Sequence, residues 1–148
     1  MKPLKKSIHG PNISISLGWR EWVFLPLHDN LKLKAKIDTG ARGSSIQAKN
    51  IEVYNKGCIQ WIRFNILHPK SPKCIETRLL CYKKIKNSFG DSEVRPVVRL
   101  KIKIGEEIWN TDISLANRSG LTYPMLIGRN TLHKKHIIHS HRSYLTGS

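Results

Sequence analysis

AKIDTGARGSSI, residues 35–46, is the stretch whose reading decides the fold. Ala35 and Ile37 alternate with lysine and lead into Asp38, Thr39, Gly40 and Ala41. The pattern predicts a strand that ends in a tight turn carrying one carboxylate. Asp38 offers an acid or a base. Thr39 brings a hydroxyl that can bond locally or across an interface. Gly40 allows backbone angles and close approaches that a Cβ forbids. Just upstream, LKLKAKI (31–37) alternates strictly, so it reads as the half-buried strand that delivers Asp38, and Asp29-Asn30 reads as the turn that starts it. By itself Asp-Thr-Gly fits an ordinary strand-to-turn transition equally well.

Working outward, period-2 patterns dominate. LGWREWVFLPL (17–27) predicts a strand, with Trp19, Trp22 and Phe24 as core or interface aromatics. Residues 44–48 predict a short strand, and residues 51–67 two strands split at Asn55-Lys56-Gly57. Residues 68–74 (HPKSPKC) predict a Pro-rich loop. Residues 75–86 and 93–104 predict strands on either side of a turn at 87–92, and Gly105-Glu106 a further hairpin. In YPMLIGRNTL (123–132) an apolar run meets Gly128-Arg129-Asn130, read as opening a short helix through Leu132. Residues 1–16 read as a basic arm, 17–132 as the domain, and 133–148 as a polar, solvated tail holding His133, His136, His139 and His141. The class is mainly β, a closed or orthogonally packed barrel.

A chain of 148 residues makes one domain with a real core. No apolar run reaches membrane-spanning length, and the first residues lack the apolar segment of a signal peptide. Cys58, Cys74 and Cys81 are an odd number without a tight pair, which favours a reducing cytoplasm over a disulfide scaffold. Lys and Arg total 26 against 10 Asp and Glu, a net charge of +16. That balance favours polyanions: nucleic acid, ribosomes or acidic polypeptides. Lysines alternating with apolar residues also suit the solvent face of half-buried strands.

A strand carrying Asp-Thr-Gly-Ala, followed about ninety residues later by an apolar strand ending in Gly-Arg-Asn, resembles the retropepsin-type aspartic protease protomer. The ordered segments GWREWVFLPL (18–27), KAKIDTGARGSSIQA (34–48), WIRFNI (61–66), SFGDSEVRPVV (88–98) and ISLANRSGLTYPMLIGRNTL (113–132) narrow the likeness. They resemble the bacterial family labelled "ATP-dependent zinc protease", also described as retropepsin-like, RimK-associated peptidases.

The resemblance implies a closed acid-protease barrel, one protomer of a C2 dimer. Acid–base hydrolysis by carboxylates needs two of them about 3 Å apart, sharing one proton. Asp91 and Asp112 lie in settings unlike Asp38, so the resemblance makes the second carboxylate Asp38 of another copy. Thr39, Gly40 and Ala41 would then support the active-site turn and the dimer. Gly128 would pass close behind that turn, with Arg129 and Asn130 bracing it. Viral relatives pair this arginine with an aspartate where Arg42 stands here, which leaves Arg129 to find another partner. Gly43 replaces a threonine usual in relatives. Ser88, Phe89, Gly90 and Asp91 would form a flap, with Gly90 as hinge and tip; an ordinary hairpin loop is the plainer reading. Glu93 and Arg95 would form an ion pair or contact substrate.

Neither part of the family label has support in the residues. There is no HExxH, no GxxxxGK[ST], and no Cys/His set with structural zinc spacing, so no metal or cofactor is expected. The resulting expectation is a cytoplasmic, homodimeric aspartic endopeptidase acting on a peptide or protein substrate, an acidic one fitting the charge. The alternatives are a retropepsin-like module that binds peptide without cleaving it, and a basic nucleic-acid- or ribosome-binding β-domain.

Overall fold

A computed structural model describes residues 13–66, 72–86, 89–117 and 122–147. Among them the chain forms strands and turns, with no helix. The strands are β1 (Ile15–Gly18), β2 (Arg20–Leu25), β3 (Leu31–Ile37), β4 (Ser44–Gln47), β5 (Lys49–Lys56) and β6 (Ile59–Ile66). They continue as β7 (Lys73–Lys86), β8 (Ser92–Ile104), β9 (Glu107–Ala116), β10 (Met125–Ile127) and β11 (His136–His139).

Alternation fixes which way each strand faces. In β3, Leu33, Ala35 and Ile37 are buried while Lys32, Lys34 and Lys36 face solvent. Asp29 and Asn30 both take positive φ, and the Leu31 N–H donates to the His28 carbonyl, so these two residues reverse the chain into β3. The sheet runs in the order β2-β3-β10-β4-β9-β8, and a further pairing of Phe24 on β2 with Lys103 on β8 closes it into a barrel. Its interior is filled by side chains such as Leu25, Leu33, Ile46, Ile102, Ile113 and Met125. Burying each is worth roughly 1.5–3 kcal/mol. β7, β6 and β5 extend the sheet from β8, and Phe64 and Ile75 on this extension join the same core. Among the described residues no helix is long and apolar enough to cross a membrane.

Several expectations need correction. Residues 1–12 of the basic arm, Leu67 of the expected strand pair and 68–71 of the Pro-rich loop lie outside the described residues, and the loop's last two residues, Lys73 and Cys74, already belong to β7. β1 starts inside the expected arm, at Ile15, and pairs in parallel with β11. Residues 133–147 are therefore no solvated tail. His139 Nε2 lies 2.9 Å from Ser16 Oγ, and the His136 ring stacks on Trp109. His136 Nε2 is 2.9 Å from Glu107 Oε1, and Lys135 pairs with the same carboxylate. Burial opposes the Glu107 charge, but the hydrogen bonds from Lys135 and His136 outweigh it and hold its pKa below the ordinary value.

β2 turns its aromatics away from the core, the first of the two places expected for them. Val23 and Leu25 enter the core, while Trp22 and Phe24 lie half-buried on the outside. Trp22 stacks on Tyr144, with the Lys32 ammonium 4.3 Å from its ring centre. The inward position beside them is Glu21, which is fully buried. Its carboxylate accepts hydrogen bonds from the N–H groups of Gly18 (2.6 Å), Leu145 (2.9 Å) and Thr146 (3.3 Å) and from the Thr146 hydroxyl (2.7 Å). Four donors satisfy the buried anion and fasten the C-terminal segment to β2.

Candidate active site

The barrel's pairing order creates the site. β10 lies between β3, to which it is parallel, and β4, to which it is antiparallel. The connection from β3 to β4, residues 38–43, must therefore loop over the end of β10. Asp38 is the first residue of that connection. Its N–H donates to the Ile127 carbonyl on β10 (2.8 Å), and the turn closes by an Ala41 N–H bond to the Asp38 carbonyl (3.2 Å). The Gly40 N–H donates to Asp38 Oδ1 (3.1 Å), which orients the half-buried carboxylate. Oδ2 has no partner among the described residues.

Gly128 packs against the back of the turn. A Cβ there would lie 2.3 Å from the Gly43 carbonyl oxygen and 3.0 Å from that of Ala41. Only glycine permits the approach. The next two N–H groups use it: Arg129 donates to the Ala41 carbonyl and Asn130 to that of Arg42, both at 2.9 Å. The open question of the Arg129 guanidinium is answered by a backbone group, since NH1 donates to the Thr39 carbonyl (2.9 Å). Residues 128–131 form a turn, with a Thr131 N–H bond to the Gly128 carbonyl (3.1 Å), rather than the expected helix. The Arg129 and Asn130 amides are committed to the Asp38 turn, and that of Gly128 to the Ser44 hydroxyl.

Sequence reasoning missed the polar core beneath the turn. Ser44, Thr111 and Thr131 are buried. Ser44 Oγ accepts from the Gly128 N–H (2.9 Å), donates to Asn130 Oδ1 (2.9 Å) and lies 2.5 Å from Thr131 Oγ1. Thr131 Oγ1 is 2.6 Å from Thr111 Oγ1. Asn130 Nδ2 reaches the Asp112 carbonyl (2.9 Å), and Trp109 Nε1 donates to the Thr131 carbonyl (3.1 Å). The network ties both halves of the crossing, the Asp38 turn and the 128–131 turn, to β9. Its one visible signal is small hydroxyl residues at core-facing positions of strands.

Asp38 lines a cleft of about 830 Å³. The long β7–β8 hairpin forms one wall, with Lys83, Lys84, Lys86 and Arg95 reaching the cleft, and Arg42 joins them from the turn. The Arg95 side chain is largely buried and paired to Glu93, as one of the two expectations for this pair had it. Asp112 also borders the cleft, but its carboxylate is held by Arg99 (2.7 Å), unlike that of Asp38. The tip of the hairpin is the segment read as a flap. Ser88 lies outside the described residues, Phe89 is 86% exposed, and Gly90 takes φ of +87°.

Residues 16–148 match the family described as retropepsin-like aspartic endopeptidase RimB. A crystal structure of a protein of unknown function from Legionella pneumophila is similar, with a TM-score of 0.78 and 30% identity over 88% of this chain and 97% of that one. A Shewanella pealeana protein named "Probable alpha-L-glutamate ligase" is 35% identical over 136 residues, 88% of this chain and 30% of the relative. A Desulfotalea psychrophila protein of the same name is 32% identical over 127 residues, 82% of this chain and 27% of the relative. The chain thus spans under a third of the length of these relatives. By the reach of its family match and the crossing of Asp38 and Gly128 in its barrel, the chain belongs to the RimB-like family of retropepsin-like aspartic endopeptidases.

Proposed function

We propose that this protein is an aspartic endopeptidase that works as a homodimer, its two Asp38 carboxylates facing each other across the two-fold axis. The observation that carries the reading is the Asp38 turn. A carboxylate oriented by Gly40, with one free oxygen, stands in a large cleft while Thr39 and Gly40 at the turn's apex are exposed. A second copy can meet the first there, with Thr39 reaching across to the partner's turn.

The chemistry then follows from one shared proton. Two carboxylates at about 3 Å cannot both ionise, so one holds a proton and the other is a base. The ionised carboxylate takes a proton from a water as its oxygen attacks the substrate carbonyl carbon. The protonated carboxyl gives its proton to the carbonyl oxygen, forming a neutral gem-diol. Transfer of a proton to the amide nitrogen breaks the C–N bond and releases acid and amine. Residues 89–91, at the tip of the β7–β8 hairpin, close over the peptide and exclude water.

The substrate class we favour is acidic polypeptide. The cleft wall carries Arg42, Lys83, Lys84 and Lys86, and the curated relatives are named as glutamate ligases. The test is hydrolysis of glutamate-rich and neutral peptides between pH 4 and 7. Asp38→Asn should abolish cleavage, and a pepstatin-type inhibitor should block the wild type. Unchanged turnover by Asp38→Asn would refute the peptidase reading, and equal rates on acidic and neutral peptides at low salt would refute the substrate class.

A further inference from the structure

We infer that the homodimer is assembled by its acidic substrate: two copies repel each other at the Asp38 turn, and an acidic peptide lying across both clefts offsets the repulsion. The inference rests on the dimeric reading above and adds the condition under which the dimer forms.

The charge at the apex is unbalanced. Residues 38–43 hold one carboxylate, Asp38, and one guanidinium, Arg42, which is exposed. Arg129 adds a second guanidinium whose hydrogen bond is to the Thr39 carbonyl and which has no carboxylate partner among the described residues. Joining two apices about a two-fold brings four guanidinium groups together, against two carboxylates that share a proton. Each whole chain carries +16 besides. Like charges within about 8 Å are poorly screened at physiological salt.

The terminal strands do not relieve this. β11 is already paired with β1 of its own copy, and residues 145–146 are fastened to Glu21. What remains is a cleft in which, among the described residues, Arg95 is paired with Glu93 but four other cations have no acidic partner. Lys83, Lys84 and Lys86 border it beside Arg42, and no ion pair joins any of them to a carboxylate among the described residues. An extended peptide rises about 3.3 Å per residue, so ten residues span about 33 Å. Its carboxylates supply the missing charge to both copies. By linkage, a ligand that binds the dimer and not the monomer tightens the dimer.

The test is sedimentation equilibrium. Wild type alone, at about 50 and about 300 mM salt, should form a tighter dimer at the higher salt. The Asp38→Asn chain, which cannot consume the peptide on the reading above, is run at low salt with decaglutamate or decaglutamine. Decaglutamate should tighten the dimer about tenfold or more, since each cross-axis cation pair costs a sizeable fraction of RT in water. Decaglutamine should do nothing. Arg42→Ala, an exposed position, should dimerise more tightly than wild type without peptide.

No shift with decaglutamate, an equal shift with decaglutamine, a dimer weakened by salt, or particles that outgrow a dimer on longer acidic peptides would each overturn the inference. The two readings fail separately. A wild-type chain that cleaves peptide as a charge-indifferent dimer overturns this inference alone. A chain that assembles on decaglutamate and never cleaves overturns the peptidase reading alone. A strict monomer in every condition overturns both.

Discussion

Gly128→Ala is the sharpest perturbation of the Asp38 crossing. The added Cβ would meet backbone, 2.3 Å from the Gly43 carbonyl oxygen and 2.6 Å from its carbon, where ordinary contact begins at 3.4 Å. No side chain can swing away, so β10 and the turn must part by about 1 Å, an overpacking strain of roughly 1–3 kcal/mol. The parting also stretches the Arg129 and Asn130 N–H bonds to the Ala41 and Arg42 carbonyls, at about 1 kcal/mol each. The expected loss is about 3–5 kcal/mol, a fall in Tm of roughly 10–15 °C for a domain of this size. Urea unfolding followed by circular dichroism measures it. Gly43→Ala is the matched control, because a Cβ there meets nothing within 4 Å, and it should change stability by less than about 0.5 kcal/mol. If Gly128→Ala lost under about 1 kcal/mol, or Gly43→Ala lost as much, the close-approach argument would be wrong.

Other consequences can be measured in the same way. Ser44→Ala strips partners from the Gly128 N–H and the Thr131 hydroxyl, both buried, and should cost about 2–4 kcal/mol in urea unfolding while loosening the Asp38 turn. Glu107 has a folded pKa below its unfolded value of 4.5, so its ion pairs stabilise the protein above that pH and are lost as pH falls through the lowered value. Glu107→Gln should therefore flatten the acid limb of a stability-against-pH curve below about pH 5, and an unchanged limb would show that the carboxylate does not couple to folding.

Much of the barrel was legible because it is written in side-chain alternation. LKLKAKI, the Asp29-Asn30 reversal and the strands over 75–86 and 93–104 follow from period 2 and turn chemistry, and all stand in the structure. The close approach of Gly128 was legible for a different reason: it came from the resemblance to the retropepsin-type protomer and not from the residue pattern. The C-terminal segment was not, since HKKHIIHSHRSY reads as polar and solvated. The His136 imidazole is buried by stacking on Trp109 and by bonding Glu107, partners that topology alone supplies. The same limit hid the partner of Arg129, because a backbone carbonyl leaves no mark on a sequence. Ser44, Thr111 and Thr131 come from separate strands and turns, and only the β4–β9–β10 crossing joins them.

The buried Glu21 sets the order in which the molecule can be completed. Its donors at Leu145 and Thr146 stand 124 and 125 residues away along the chain. During synthesis β2 emerges early, carrying a carboxylate that the core cannot take in without those donors. An unpaired anion removed from water costs several kcal/mol, more than the apolar neighbours Val23 and Leu25 can comfortably offset. The first strand of the barrel, β2, must therefore wait, solvated, for residues 145 and 146 to be made. Closure over so long a loop is slow, and an unsealed barrel edge is open to wrong pairing in the meantime. A single glutamate thus makes native closure a signal that translation has passed residue 146.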